Sequence, residues 1–183
     1  MQLDSRHEVD PQWVLGFREP WQQWAETISS YPLINDDLEV AFLDIGRALR
    51  VGSLAGFSIV VEGQLRLVRS LVKLEAYRIG CEALVNAFRH SEASRVELHL
   101  QYAPTGLRIA VCDDGKGISA EALRAGCRGL SWMRERAEHM GAKLKVLSHA
   151  AGGTEIQIFV PRLIAFECQG SDNLSGRLPK RWA

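Results

Sequence analysis

Apolar residues recur along this chain with two distinct periods, and the points where the period changes mark the elements. Leu38, Phe42, Ile45 and Leu49 return every three or four residues, which predicts a helix over 37–50 with Asn35 or Asp36 as its cap. Gly52 and Gly56 break that pattern; Phe57–Val61 then reads as a strand and Glu62–Gly63 as the turn after it. From Val68 to His90 runs the longest helical pattern, with Leu71, Leu74, Tyr77, Ile79, Ala83, Leu84 and Phe88 in one broad stripe. The period then drops to two: Val96, Leu98 and Leu100 alternate with Glu97, His99 and Gln101, the mark of a half-buried strand. Pro104–Gly106 is a turn and Leu107–Cys112 a second strand, so the pair forms an antiparallel hairpin. Residues 119–125 suit a short helix, Gly126–Gly129 a flexible loop, and Leu130–Met140 a helix stopped by Gly141. Lys143–Ser148 and Thr154–Val160 read as strands around Gly152-Gly153, and Pro161 ends the pattern. These elements predict an α/β fold of the two-layer α+β sandwich type. Its mixed, mostly antiparallel sheet has about five strands and is covered on one face by helices.

Two stretches fall outside that pattern. Residues 1–36 hold Trp13, Trp21 and Trp24; Pro20 suits the first turn of a short helix that places Trp21, Trp24 and Ile28 on one face. They read as an amino-terminal Trp-rich segment or linker remnant before a domain at 37–161, with 162–183 as a mobile tail. Hydrophobic residues make up 46% and charged residues 24%, as in ordinary globular domains. The 22 basic and 22 acidic residues cancel, so no global field draws the chain to nucleic acid or to an anionic membrane. Cysteines at 81, 112, 127 and 168 show no C-x-x-C spacing, which fits free thiols in a reducing compartment. The amino terminus is polar, unlike a secretory signal, and no apolar run approaches the roughly 20 residues of a membrane span. A cytoplasmic protein without membrane contact is expected.

Four short patterns carry chemistry. Glu82, Asn86 and His90 stand at i, i+4 and i+8 on the long helix with Arg89 beside them, a narrow polar row among apolar neighbours. Such a row is often just a solvated face, but a carboxylate and an amide oxygen one turn apart also suit Mg²⁺. Asp113-Asp114-Gly115-Lys116-Gly117 follows a strand directly; its glycines let a flat ligand lie against backbone, and the Asp113 carboxylate can accept from an adenine amine. The plain alternative is a tight Asp-Gly turn. Neither a P-loop nor a dinucleotide fingerprint is present. Gly126-Cys127-Arg128-Gly129-Leu130 leads into a helix whose first N–H groups favour phosphate. Gly152-Gly153-Thr154 precedes the last strand and alone would be a hairpin turn.

The order of these patterns resembles the GHKL ATPases, the superfamily of gyrase, the ninety-kilodalton heat-shock chaperones, histidine kinases and MutL repair proteins. The phrases Tyr77-Arg78-Ile79-Gly80-Cys81-Glu82-Ala83-Leu84-Val85-Asn86-Ala87-Phe88-Arg89-His90 and Met133-Arg134-Glu135-Arg136-Ala137 are similar to one subgroup. These are the kinases related to nitrate sensors and propeller-bearing two-component sensors. The resemblance covers about 37–161 and implies an ATP-binding catalytic domain working with ATP and Mg²⁺. It implies Glu82 as the catalytic carboxylate, Asn86 as the Mg²⁺ ligand, and Arg89 and His90 at the phosphates. Asp113, Gly115 and Gly117 would form the adenine box, Gly126, Gly129 and Leu130 the lid hinge and the helix after it, and Gly153 and Thr154 the last box. The chain departs from the pattern at Cys127 and Arg128 in the lid, at Trp132 where a small residue is usual, and at Ala151.

Kinases of this kind deliver phosphate to a histidine on a two-helix dimerisation domain, and through it to a response regulator. His7-Glu8 is the only candidate ahead of the domain, and Pro11, one turn later, breaks the helix such a site requires. The expected acceptor is therefore a histidine outside this chain. Two alternatives stay open: a nucleotide-binding interaction or regulatory module without turnover, and a slow ATP hydrolase.

Overall fold

The structure is a computed structural model that describes residues 37–51, 53–119, 121, 127–149, 152–167 and 180–182. Helix α1, Leu38–Arg50, starts one residue after the expected span, and its cap is Asp37, whose side chain makes no capping bond. Asn35 and Asp36 lie outside the described residues. Strand β1 (Gly56–Gly63) leads into the long helix α2 (Ser70–His90), which crosses over to strand β2 (Arg95–Ala103) lying parallel to β1. A two-residue turn returns the chain as strand β3 (Gly106–Asp113), antiparallel to β2 with Ala103 opposite Gly106. Helix α3 (Arg128–His139) and strands β4 (Lys143–Ser148) and β5 (Thr154–Pro161) follow, with β5 inserted between β3 and β4. The α/β two-layer expectation holds: the sheet is mixed and mostly antiparallel, with helices against one face.

Alternation decides which side of each strand meets the helices. Val96, Leu98 and Leu100 on β2 and Ile59 and Val61 on β1 are buried beneath α1 and α2. The intervening positions carry polar pairs on the other face, among them Ser58–Glu97, Gln101–Glu62 and Arg108 with Glu155 and Gln157. The two long helices pack closely because Gly80 of α2 sits under the Phe42 ring, where a Cβ would overlap it. Phe42 also packs on Tyr77 in a tilted pair, with ring centroids 5.4 Å apart. Helix α3 ends at Gly141, whose φ of 73° lets Gly141 N–H reach the Glu138 carbonyl and Ala142 N–H reach the Ala137 carbonyl.

Three expectations need correction. Leu71 does not join the buried stripe of α2; Val72, Ala76, Ile79 and Ala83 do, and Leu71 stands one position off that face in solvent. Residues 162–167 are not a mobile tail. They form helix α4 (Arg162–Ala165) and a bridge from Phe166 to Val68, held because Phe166 is buried against Tyr102 and beneath Arg66. Strand β6 (Lys180–Trp182) then adds a sixth, short edge strand to the expected five by pairing antiparallel with β1. Of the expected helix at 119–125, only 119 and 121 are described.

Candidate functional site

The carboxyl end of α2, the end of β3, the start of β5 and the start of α3 enclose a cavity of about 830 Å³. Nine of the residues singled out from the sequence line it: Glu82, Asn86, Arg89 and His90 from α2, Asp113 and Gly117 after β3, Gly129 and Leu130 from α3, and Thr154 from β5. Gly115 and Gly153 do not line it and instead shape its rim. Gly126 lies outside the described residues.

Period two places Asp113 here. Leu107, Ile109 and Val111 face the helices, so Asp113 continues that row one step beyond the core. Its Oδ1 accepts from Gly115 N–H at 3.0 Å, and it also accepts from Thr154 through both backbone and hydroxyl. Burial pushes its carboxyl above the ordinary aspartate range, against the pull of those hydrogen bonds. The adjacent Asp114 has the opposite environment. It accepts from Ser94 N–H, Ser94 Oγ and Arg95 N–H at 2.8, 2.6 and 2.8 Å, and Ser94 draws its carboxyl below the ordinary range. One carboxylate faces the cavity and its neighbour pins the loop to the start of β2.

The loop has no room for larger residues. A Cβ on Gly115 would strike the Ser91 carbonyl, and one on Gly153 would strike the Asp113 carbonyl. Lys116 N–H donates to the Ser91 carbonyl at 2.8 Å and Ile118 N–H to Ser148 Oγ at 3.0 Å, so α2 and β4 both anchor it. Gly153 has a φ of 94°, a conformation that side chains rarely adopt. Val111, Ile118 and Ile156 add apolar walls beside Asp113. A slot with apolar walls and one inward acceptor suits a planar heterocycle bearing an amine.

At the other end the chemistry changes. Glu82 and Asn86 are half-buried one turn apart, while Arg89 and His90 are exposed at the mouth with Lys116. Burial raises the Glu82 carboxyl above the usual glutamate range, with Arg89 acting in the opposite direction. Gly129 packs against Glu82, and a Cβ there would overlap Oε1. Helix α3 has no side-chain cap and no acid in its first turn, so its N–H groups and dipole present a positive end to the cavity.

Sequence reading missed Ser91, Ser94, Ser148 and the role of Asp114. Their bonds join residues far apart in the chain; only the cluster of small polar residues at 91–94 hints at them. Cys127 is exposed on the cavity wall, Cys81 is buried with its thiol pushed well upward, and Cys112 is half-buried and raised to about 11. Cys168 lies outside the described residues.

The family model described as histidine kinase-, DNA gyrase B-, and HSP90-like ATPase matches residues 72–164. Sensor histidine kinase LiaS of Bacillus subtilis is 42% identical over 85 residues, which are 46% of this chain and 24% of that protein. The nitrate/nitrite sensor protein NarX of Escherichia coli is 33% identical over 118 residues, 63% of this chain and 20% of NarX. The chain thus corresponds to about a quarter or less of either sensor. Among solved structures, the histidine kinase domain of the Erythrobacter litoralis EL346 blue-light activated kinase superposes with a TM-score of 0.54 at 24% identity, covering 66% of this chain and 64% of that one. The mycobacterial sensor histidine kinase MprB does so at 0.54 and 20%, covering 73% and 97%. At those identities the structural likeness speaks for the fold.

Proposed function

The chain belongs to the histidine kinase-, DNA gyrase B-, and HSP90-like ATPase family, as an ATPase domain of the sensor-histidine-kinase kind, and from that premise we propose that it binds Mg-ATP and transfers the γ-phosphoryl group to a histidine on a separate dimerisation domain. One observation carries the reading: a single cavity holds the Asp113 carboxylate, with Thr154 donating to it, at one end and Glu82, Asn86 and the start of α3 at the other.

Adenine would lie between the apolar walls with its amine on Asp113, directing the phosphates toward Arg89, His90, Lys116 and α3. Metal binding fits the donor set. No cluster of three or more acidic, histidine or cysteine residues able to hold a metal occurs among the described residues. Mg²⁺ takes few protein oxygens and keeps phosphate and water in the rest of its shell, so a single amide oxygen would be enough to hold it. The Asn86 amide oxygen would hold the ion. When bound there, the ion would offset the charge of the phosphates.

In the transfer, the bond from the γ-phosphorus to the β–γ bridging oxygen breaks, a phosphorus–nitrogen bond to the imidazole forms, and ADP leaves. Glu82 would take the imidazole proton. Burial makes it a stronger base than an ordinary glutamate, and general-base help is worth typically 10²–10⁴-fold. A response regulator would then receive the phosphoryl group from that histidine. No helix of the described residues is long and apolar enough to cross a membrane; a cytoplasmic location is part of the proposal, because ATP is its phosphoryl donor.

The test uses γ-labelled ATP with the chain alone and with a separately supplied dimerisation domain of a sensor kinase. Acid-labile label should appear only on the supplied domain and vanish when its histidine is replaced. Steady phosphate release that is indifferent to that domain would favour a hydrolase, and tight binding without release or transfer would favour a regulatory module.

A further inference from the structure

Glu92, just past the end of α2, breaks two local rules at once. Ser91 caps the helix, and Glu92 then takes a φ of 57°, alone among the described non-glycine residues in the left-handed region. That position at a helix end ordinarily belongs to glycine, because a Cβ crowds the backbone there. An acid is also misplaced at the carboxyl end of a helix, where the last carbonyls present a negative pole. Glycine would hold the turn without either cost, so the fold itself does not call for a glutamate. Local rules are broken in this way where a side chain serves a site.

The Glu92 side chain reaches Lys116. Its Oε1 accepts from Lys116 Nζ at 2.7 Å, and that ammonium draws the Glu92 carboxyl below the ordinary glutamate range. The two side chains are 78% and 58% exposed, and an exposed ion pair adds little to stability. The backbone of Lys116 is nevertheless firmly placed. Its N–H donates to the Ser91 carbonyl at 2.8 Å, and Gly115 beside it packs on the same carbonyl. Lys116 lines the nucleotide cavity together with Arg89, His90 and Ser91, while Glu92 stands outside that lining.

We propose, resting on the nucleotide reading of the cavity, that Lys116 is a further nucleotide-binding residue and that Glu92 is the counter-ion it exchanges for the negative charge of the arriving nucleotide. A cavity of about 830 Å³ is roughly 9 Å across, about one screening length at physiological salt, so phosphates anywhere within it feel the Lys116 charge. The exchange is easy because the pair it breaks is exposed and weak. The ammonium leaves a single carboxylate and gains a partner of higher negative charge. Glu92 then returns to solvent, where its own charge is hydrated. The two residues thus form a cation held in reserve at the mouth, fixed by the same turn that fixes the Asp113 loop.

Calorimetry on the full chain tests this, with ADP and with adenosine, which carries the base and no phosphate. Lys116→Gln should weaken ADP binding about three- to tenfold and leave adenosine unchanged. Glu92→Gln should tighten ADP binding by about two- to fivefold, because Lys116 is no longer held, again without effect on adenosine. In the double variant that gain should vanish, since Glu92 acts through Lys116. Glu92→Gly should tighten ADP binding likewise and raise the melting temperature, because a φ of 57° is a conformation glycine takes freely. Equal ADP affinity in Lys116→Gln and the parent would overturn the proposal, as would equal tightening by Glu92→Gln with and without Lys116. A parallel loss of adenosine affinity in Lys116→Gln would do the same, because Lys116 would then only shape the loop. A parent that binds ADP while Lys116→Gln changes nothing sinks this proposal alone; a parent that binds no ADP sinks the nucleotide reading with it.

Discussion

Asp113→Asn keeps the shape of the side chain and changes only what it offers. In the parent, Oδ1 holds Gly115 N–H at 3.0 Å and Thr154 donates to the same carboxylate. Asparagine keeps one oxygen for Gly115 and turns an amide NH₂ toward the adenine amine, so two donors face each other. Losing a hydrogen bond to a charged group costs about 1.5–3 kcal/mol, or roughly 10- to 150-fold in Kd. Two effects on fold stability oppose each other, since Thr154 loses part of its acceptor while the cost of a buried charge is removed. Burial raises the Asp113 carboxyl, so its ionisation removes stability as pH rises from the ordinary carboxylate range through the raised value, and asparagine relieves that cost at neutral pH. Asp113→Ala should lower both affinity and melting temperature, because Gly115 N–H and the buried Thr154 lose their acceptor. Calorimetry with ADP reads the first effect, and inosine diphosphate sharpens it. That nucleotide carries a carbonyl where adenine carries the amine, so the parent should reject it and Asp113→Asn should accept it. If Asp113→Asn binds ADP as tightly as the parent, or shows no exchange of preference, Asp113 does not read the base.

Glu82→Gln should cut phosphoryl transfer to a supplied histidine by about 10²–10⁴-fold while leaving ADP binding nearly intact. It should also raise the melting temperature at neutral pH, with the gain fading below the ordinary carboxylate range, because burial makes ionised Glu82 costly; no gain at neutral pH would refute that burial. Asn86→Ala should weaken ADP binding mainly when Mg²⁺ is present, and equal weakening with a chelator would remove Asn86 as the metal ligand. Gly80→Ala should gain about 1 kcal/mol of helix propensity and lose more, since the added methyl overlaps the fully buried Phe42 ring and overpacking costs about 1–3 kcal/mol. Urea unfolding gives the sign, and a stabilised variant would mean that α1 and α2 can part freely.

Local periodicity made most of the fold legible because each period reports which face of an element is buried. The row Leu107, Ile109, Val111 fixes where Asp113 points, and the spacing of Glu82 and Asn86 sets both on one side of α2. Where one element is apolar nearly all round, the same signal loses its phase. Helix α2 buries residues over most of its circumference, so nothing in its sequence tells buried Val72 from exposed Leu71. Bonds between distant segments leave no periodic trace at all, which hid the Ser94–Asp114 latch and the packing of Phe166 on Tyr102.

Gly129 shows how a residue can be found for one reason and required for another. In the sequence it reads as flexibility ahead of a helix; in the structure its missing side chain makes room for the Glu82 carboxylate. Glu82 therefore lies beside the positive end of α3, the end proposed to receive phosphate. Two negative groups, one fixed and one arriving with the nucleotide, then share a single helix terminus. Under the proposed function, arriving phosphate would compete with Glu82 for that terminus and leave the glutamate more basic. The base would strengthen as the group to be transferred enters the cavity.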